Sequence, residues 1–293
     1  MLTKIMQLNL RLLAKPFLAP RFSVAFQRRW ASMLMLLNQN AGGTSFDLIN
    51  MNGVPARLIR TTTASDRAVL YLHGGAYVLG DPKSHRGLCS HLARFSDARV
   101  YTVDYRLAPE HPYPAALEDA LTAYRWLLGE GFSADQISIA GDSAGGGLAT
   151  AIVCNIRDQG LPMPGKLLLI SPFVDMTLSG ESMQSHADAD PMLRQDWLRS
   201  SGDFYRGETP ADHPDCSPLF ADLKGFPPTL IHVGSEEVLL DDAKRLTAAL
   251  QAAGAQVTLR VFEGYWHDFQ LQAGLVPMAN DSLAGFADFL SSS

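Results

Sequence analysis

One run constrains this chain more than any other: Ile137-Ser138-Ile139-Ala140 passes directly into Gly141-Asp142-Ser143-Ala144-Gly145-Gly146-Gly147 and then into an alanine-rich stretch. The order reads as a buried strand, a tight turn and a helix, with Ser143 at the tip of the turn. A residue there takes a strained backbone conformation, and Gly141 and Gly145 are required because side chains would collide with the crossing strand and helix. Such a turn lifts a hydroxyl clear of the carboxyl edge of a sheet, where open α/β sheets build their sites. Ser143 is the candidate nucleophile.

The rest of the chain supplies the sheet. Apolar runs at 69–72, 99–103, 137–140, 166–170, 229–233 and 257–261 alternate with helical patterns near 84–96, 114–129, 144–158, 239–253 and 277–290. This alternation is the mark of parallel strands covered on both faces by crossover helices. Upstream, 46–49 and 56–59 flank Asn52-Gly53, a dipeptide suited to the positive φ of a tight hairpin turn. The expected fold is therefore α/β, an eight-stranded mostly parallel sheet formed by residues 1–293 as one domain. Two segments stand outside the alternation. Residues 1–44 carry Leu2, Ile5, Met6, Asn9, Leu12 and Leu13 at helical spacing, breaks at Pro16 and Pro20, and an apolar stretch at 33–37. About sixty residues between Ile170 and Thr229 carry one further helical pattern near 192–205, and a connection that long is usually functional. Residues 1–44 and about 180–215 are expected to form a cap over the site, packed on the domain rather than laid on a membrane surface.

Composition removes several classes of function. Lys+Arg number 24 and Asp+Glu 30, a net charge of −6, and no basic tract exists to track a phosphate backbone, so no nucleic acid partner is expected. Hydrophobic residues at 47% exclude disorder over most of the length. The 3 cysteines form no C-x-x-C pair, and H-E-x-x-H is absent, so neither a disulfide framework nor a metal site is expected, and no cofactor is implied. No signal peptide or spanning segment is read, which points to a cytoplasmic protein without stable membrane insertion. The sequence leaves a homodimer open.

A serine hydroxyl needs a base to take its proton and a third group to hold that base. Of 8 histidines, His267 is best placed, on a loop after the 257–261 strand and before the final helix. His232 lies within a strand, His186 and His213 in the long connection, and His85, His91 and His111 in surface-like segments. For the acid, Glu236, Glu237, Asp241 and Asp242 follow the 229–233 strand. Glu237 fits the chain order nucleophile, acid, histidine and is favoured over Asp241, while Asp241 and Asp242 are expected to cap the next helix or face solvent. His73-Gly74-Gly75-Ala76-Tyr77 follows the 69–72 strand, where glycines let backbone N–H groups approach a developing oxyanion. Gly74, Gly75 and Ala144 are the expected donors, His73 holds the loop, and Tyr77 and Asp142 are expected to bind substrate.

These motifs, together with Asp104-Tyr105-Arg106-Leu107-Ala108-Pro109-Glu110-His111-Pro112-Tyr113-Pro114-Ala115-Ala116-Leu117-Glu118-Asp119, closely resemble the hormone-sensitive-lipase-like, or bacterial family IV, esterases of the α/β-hydrolase fold. The resemblance runs from about Arg67 to His267, and residues 1–44 resemble that family's helical cap. It implies a serine carboxylesterase acting on short to medium acyl esters, a small-molecule ester as partner, and an acid in a D-x-L segment, where Glu237-Val238-Leu239 stands here. Amide or lactone hydrolysis uses the same residues. A non-catalytic binder on this fold, like the plant hormone receptors that resemble the family, would lack the histidine that this chain has at 267. The 104–119 block carries no chemical meaning in the sequence beyond a turn entering a helix.

Overall fold

The computed structural model describes residues 2–35 and 38–292; Met1, Ser293 and, from the second apolar stretch, Leu36 and Leu37 lie outside the described residues. Eight strands form one sheet in the order β1-β2-β4-β3-β5-β6-β7-β8. They are β1 Thr44–Met51, β2 Val54–Thr61, β3 Ala68–Leu72, β4 Arg99–Val103, β5 Ile137–Asp142, β6 Lys166–Ile170, β7 Thr229–Gly234 and β8 Val257–Phe262. The β1–β2 hairpin turns through Asn52 and Gly53, whose φ values of 54° and 98° suit the expected tight turn. β2 pairs antiparallel with β4, and every later pairing is parallel.

Successive side chains of the central strands point to opposite faces. Val69 and Tyr71 pack with α3 (Arg86–Ser96) and α9 (Pro277–Ser291), while Leu70 and Leu72 join the larger core under α4 (Ala115–Gly129), α5 (Ser143–Asp158) and α8 (Leu240–Ala252). β8 departs from the expectation of burial on both faces. It is an edge of the sheet, so its residues are half-buried or exposed and none is fully buried, and Val261 faces solvent.

Four helices stand outside this alternation: α1 Leu2–Leu13, α2 Val24–Met35, the short α6 Ser182–Ser185, and α7 Gln195–Arg206. They are tied together across long sequence distances. Lys15 Nζ donates to the carbonyls of Ala187 and Asp190 at 2.6 Å, and Arg11 reaches those of Asp188 and Ala189. Trp197 Nε1 on α7 donates to Gln27 Oε1 on α2 at 2.7 Å. Cys89, Cys154 and Cys216 are free and buried, and no described helix is long and apolar enough to cross a membrane.

Candidate active site

Ser143 ends the strand-to-helix turn with φ 52°, in the left-handed region that a non-glycine residue adopts at a cost. The turn is held from both sides. A Cβ at Gly145 would strike the Leu72 carbonyl, one at Gly141 would strike the Gly145 carbonyl, and Phe173 N donates to Ser143 O at 2.9 Å. The collisions inferred from the sequence are therefore the ones the backbone shows.

His267 lies in the loop after β8 and is buried. Its Nδ1 donates to Glu237 Oε2 at 2.8 Å, and Glu237 Oε1 accepts from Ser171 Oγ at 2.8 Å and from Gly234 N at 2.6 Å. Both oxygens of this buried carboxylate are thus engaged. Asp241 and Asp242 are elsewhere. Asp241 Oδ2 accepts from Ser182 N at 2.9 Å. Asp242, expected to cap the helix or face solvent, is fully buried; it accepts from Val174 N and Asp175 N, and burial pushes its carboxyl up to about 8. The structure brings Glu237 to the histidine and leaves both aspartates away from it.

The other ring nitrogen meets a residue that the sequence reading passed over. Asp268, buried and at φ 52°, places Oδ2 3.0 Å from His267 Nε2. Burial lowers the basicity of His267, but the Asp268 and Glu237 carboxylates outweigh it and push the imidazole well above its usual value. Burial pushes Asp268 up to about 7, with His267 pulling it back. The signal available in the sequence was adjacency to His267; the left-handed turn that swings the carboxylate back onto the ring is not written there. Ser171, also at positive φ, was missed for the same reason.

The loop after β3 and the residues packed on it differ from expectation. Gly74 N donates to Asp142 Oδ2 at 3.0 Å, so this amide is committed and leaves the set of oxyanion donors. The amides of Gly75, Ala76 and Ala144 have no acceptor among the described residues, and all three residues lie at the cavity or at the elbow beside it. Asp142, expected to bind substrate, has its carboxylate occupied by protein donors: Tyr71 OH at 2.7 Å, Gly74 N, and His85 Nε2 at 3.1 Å. It clamps the loop. Tyr77 does not line the cavity; its ring stacks on Tyr205 of α7 with centroids 3.7 Å apart. His85, placed in a surface-like segment by the sequence, is buried. Burial lowers its basicity, but the Asp142 carboxylate outweighs burial and raises it. His73 is structural as expected: its Nδ1–H donates to Gly74 O at 2.9 Å, and burial beside His85 takes it down to about 4.

The 104–119 block now has a physical meaning. Tyr105 OH donates to His73 O at 2.6 Å and its ring stacks on the His73 imidazole at 4.2 Å. Ala108 N donates to Tyr77 O at 3.0 Å. Arg106 is locked to Asp119 by bonds of 2.8 to 3.0 Å, and Glu110 pairs with Arg28 of α2 at 2.7 Å. Arg28 also donates to the carbonyls of Val78 and Ala108 at 2.8 Å, which joins the N-terminal helices to the loop.

Ser143, His267 and Asp268 face one cavity of about 100 Å³. Its remaining wall is almost wholly apolar, built by Leu18, Trp30 and Met35 of the N-terminal region with Met192, Leu193 and Trp197 from the long connection. Asp190 sets that connection: its buried carboxylate accepts from Met192 N and Leu193 N at 2.8 Å and from Val238 N, the residue after Glu237, at 3.0 Å.

An α/β hydrolase fold family profile matches residues 69–271. A crystal structure of an esterase from the bacterial hormone-sensitive lipase family superposes with a TM-score of 0.95 at 38% identity, covering 99% of this chain and 97% of that one. The chain belongs to this family. It is also 38% identical to an esterase of Acinetobacter venetianus over 83% of this chain and 81% of that protein. The crystal structure of the esterase EstE5 soaked with p-nitrophenyl butyrate matches with a TM-score of 0.93 at 38% identity over 99% of this chain and 97% of its own.

Proposed function

We propose that this family member is a serine carboxylesterase that cleaves esters of short to medium acyl chains through an acyl-enzyme on Ser143. The observation that carries the reading is the buried Glu237–His267 bond of 2.8 Å beside a nucleophile elbow, with both His267 and Ser143 facing one apolar cavity. Ser143 Oγ attacks the acyl carbonyl as its proton passes to His267 Nε2, and the carbonyl electron pair moves onto oxygen. The amides of Gly75, Ala76 and Ala144 receive that oxyanion, fixed donors that need no reorganisation as charge develops. His267 returns the proton to the leaving alcohol, and water repeats the sequence on the acyl-enzyme. Glu237 keeps Nδ1 protonated and the ring oriented.

The long connection and the two N-terminal helices are read as the cap that forms the acyl wall. A cavity of this size with apolar walls suits a few methylenes rather than a palmitoyl chain. The experiment is a series of p-nitrophenyl esters from acetate to palmitate. Highest kcat/KM at butyrate or hexanoate, with no jump in rate at the solubility limit, supports the reading; preference for palmitate, or no hydrolysis of any ester, defeats it. Tert-butyl acetate should be cleaved slowly but measurably, since the glycine loop leaves room beside the tetrahedral carbon. Inertness toward it, with brisk cleavage of ethyl acetate, would mean that Ala76 or the cap closes the alcohol side.

A further inference from the structure

We propose that Asp268 is a positioning residue of this hydrolysis: its carboxylate, turned back by a left-handed backbone onto the free edge of the His267 ring, holds the Nε2 proton and sets the acid limit of activity. The inference rests on the triad reading above and extends it to a fourth group.

Hydrogen counting comes first. Glu237 accepts at Nδ1, so that nitrogen carries a proton. An unprotonated Nε2 facing an ionised carboxylate at 3.0 Å would set two lone pairs against each other, so one proton lies between Nε2 and Asp268 Oδ2. While it lies there, the Nε2 lone pair is not available to Ser143. The backbone enforces the contact, because φ of 52° at Asp268 is what brings a side chain next in sequence to His267 against its ring. Asp268 Oδ1 is buried, has no hydrogen-bond partner among the described residues, and belongs to a side chain that lines the cavity. The carboxyl therefore has one oxygen on the ring and one uncommitted.

The surroundings fix the direction of the effect. Glu237, from the turn after β7, sits on the far nitrogen. Asp142, from the end of β5, adds negative charge, offset by His85 at the start of α3 and steadied by Tyr71 of β3. Asp81 lies beyond His85. Asp190 also acts on His267, with its carboxylate already bound to three amides. Among these, Asp268 alone touches Nε2, the atom that must be bare when Ser143 attacks. The proton inventory then closes. Activation releases the Nε2 proton to solvent, leaving the pair on nitrogen, and the carboxyl turns away; Nε2 then takes the Ser143 proton as the Oγ–C bond forms. Nε2 passes that proton to the leaving alcohol and is bare again for the attack of water.

The test compares kcat/KM for p-nitrophenyl butyrate against pH in the wild type and Asp268→Asn. Asparagine tolerates the left-handed turn and keeps the shape while removing the charge. An opposite charge in contact typically moves a pKa by about 1–3 units, so the acid limb of the variant should fall by about one unit or more. At a pH one unit below the wild-type limb, the variant should keep several-fold more of its own plateau rate. A limb at the same pH in both proteins overturns the proposal. Should the asparagine variant fail to fold, Asp268→Gly, which accepts this φ freely, carries the same comparison. A readout that needs no turnover is the ¹⁵N titration of His267 in the wild type: a midpoint above the ordinary 6.5 is expected, and one at or below it overturns the proposal. Absence of any ester hydrolysis would defeat the functional reading while leaving that titration readable.

Discussion

Ser171 Oγ donates to Glu237 Oε1 at 2.8 Å, on the opposite side of the carboxylate from His267. A serine just past the end of β6 thereby aims an acid that follows β7, and the aim reaches the imidazole. Ser171→Ala removes one of the two bonds on that oxygen and leaves Gly234 N. At about 1–1.5 kcal/mol for the bond, kcat should fall roughly 10-fold with KM little changed. Steady-state kinetics on a soluble ester check it; a change confined to KM would place Ser171 in substrate binding.

Glu237→Gln should lower kcat by about 10⁴, the loss typical when the acid of such a triad is neutralised and the imidazole takes the wrong tautomer. Asp241→Asn, at a carboxylate bonded to Ser182 N of α6, should stay within about 3-fold. Rates of both purified variants decide between them, and the reverse ranking would move the acid to Asp241.

The His85–Asp142 pair predicts a window of pH-dependent stability. Burial works against the charge on Asp142, but His85 and Tyr71 outweigh it and hold the carboxyl below its usual 3.8, so that contribution is present above about pH 4 and lost as pH falls through the folded value. His85 is raised above 6.5, so its contribution is full below 6.5 and is lost as pH rises through the folded value. The pair therefore stabilises most between about pH 4 and 6.5. His85→Gln should cost about 2 kcal/mol there and less at pH 9, read as the difference in urea unfolding free energy. A difference that grows with pH would contradict the assignment.

The apolar wall predicts how acyl preference can be moved. Trp30 lines the cavity and packs on Phe17 with centroids 4.4 Å apart. Trp30→Ala should lengthen the acyl site, and at about 0.8 kcal/mol per newly buried methylene the hexanoate-to-butyrate ratio of kcat/KM should rise roughly 4-fold or more. An unchanged ratio would mean that the acyl chain runs elsewhere.

What was legible in the sequence was local. The strand, turn and helix around Ser143 are contiguous, and although the clash that demands glycine at 145 is with Leu72 of β3, the G-x-S-x-G pattern carries that demand in residue type, so periodicity and residue type sufficed. Glu237 and His267 followed because chain order and the carboxyl edge limit the choices. The rest depended on positive φ at residues that are not glycine and on contacts between distant elements. Asp268, Ser171 and Ala76 adopt left-handed backbone with no marker in their identity. Gly74 looked like an oxyanion donor until the carboxylate of Asp142, 68 residues away, was seen to take its amide. The 104–119 block is read only once Tyr105 is seen on His73 and Glu110 on Arg28.

Intact-protein and peptide mass spectrometry after treatment with phenylmethanesulfonyl fluoride tests the central claim most directly. One sulfonyl adduct on the peptide that contains Ser143, gained in step with loss of ester hydrolysis and absent from Ser143→Ala, is the predicted result. Full loss of activity with the adduct on another residue, or an active Ser143→Ala protein, would contradict it.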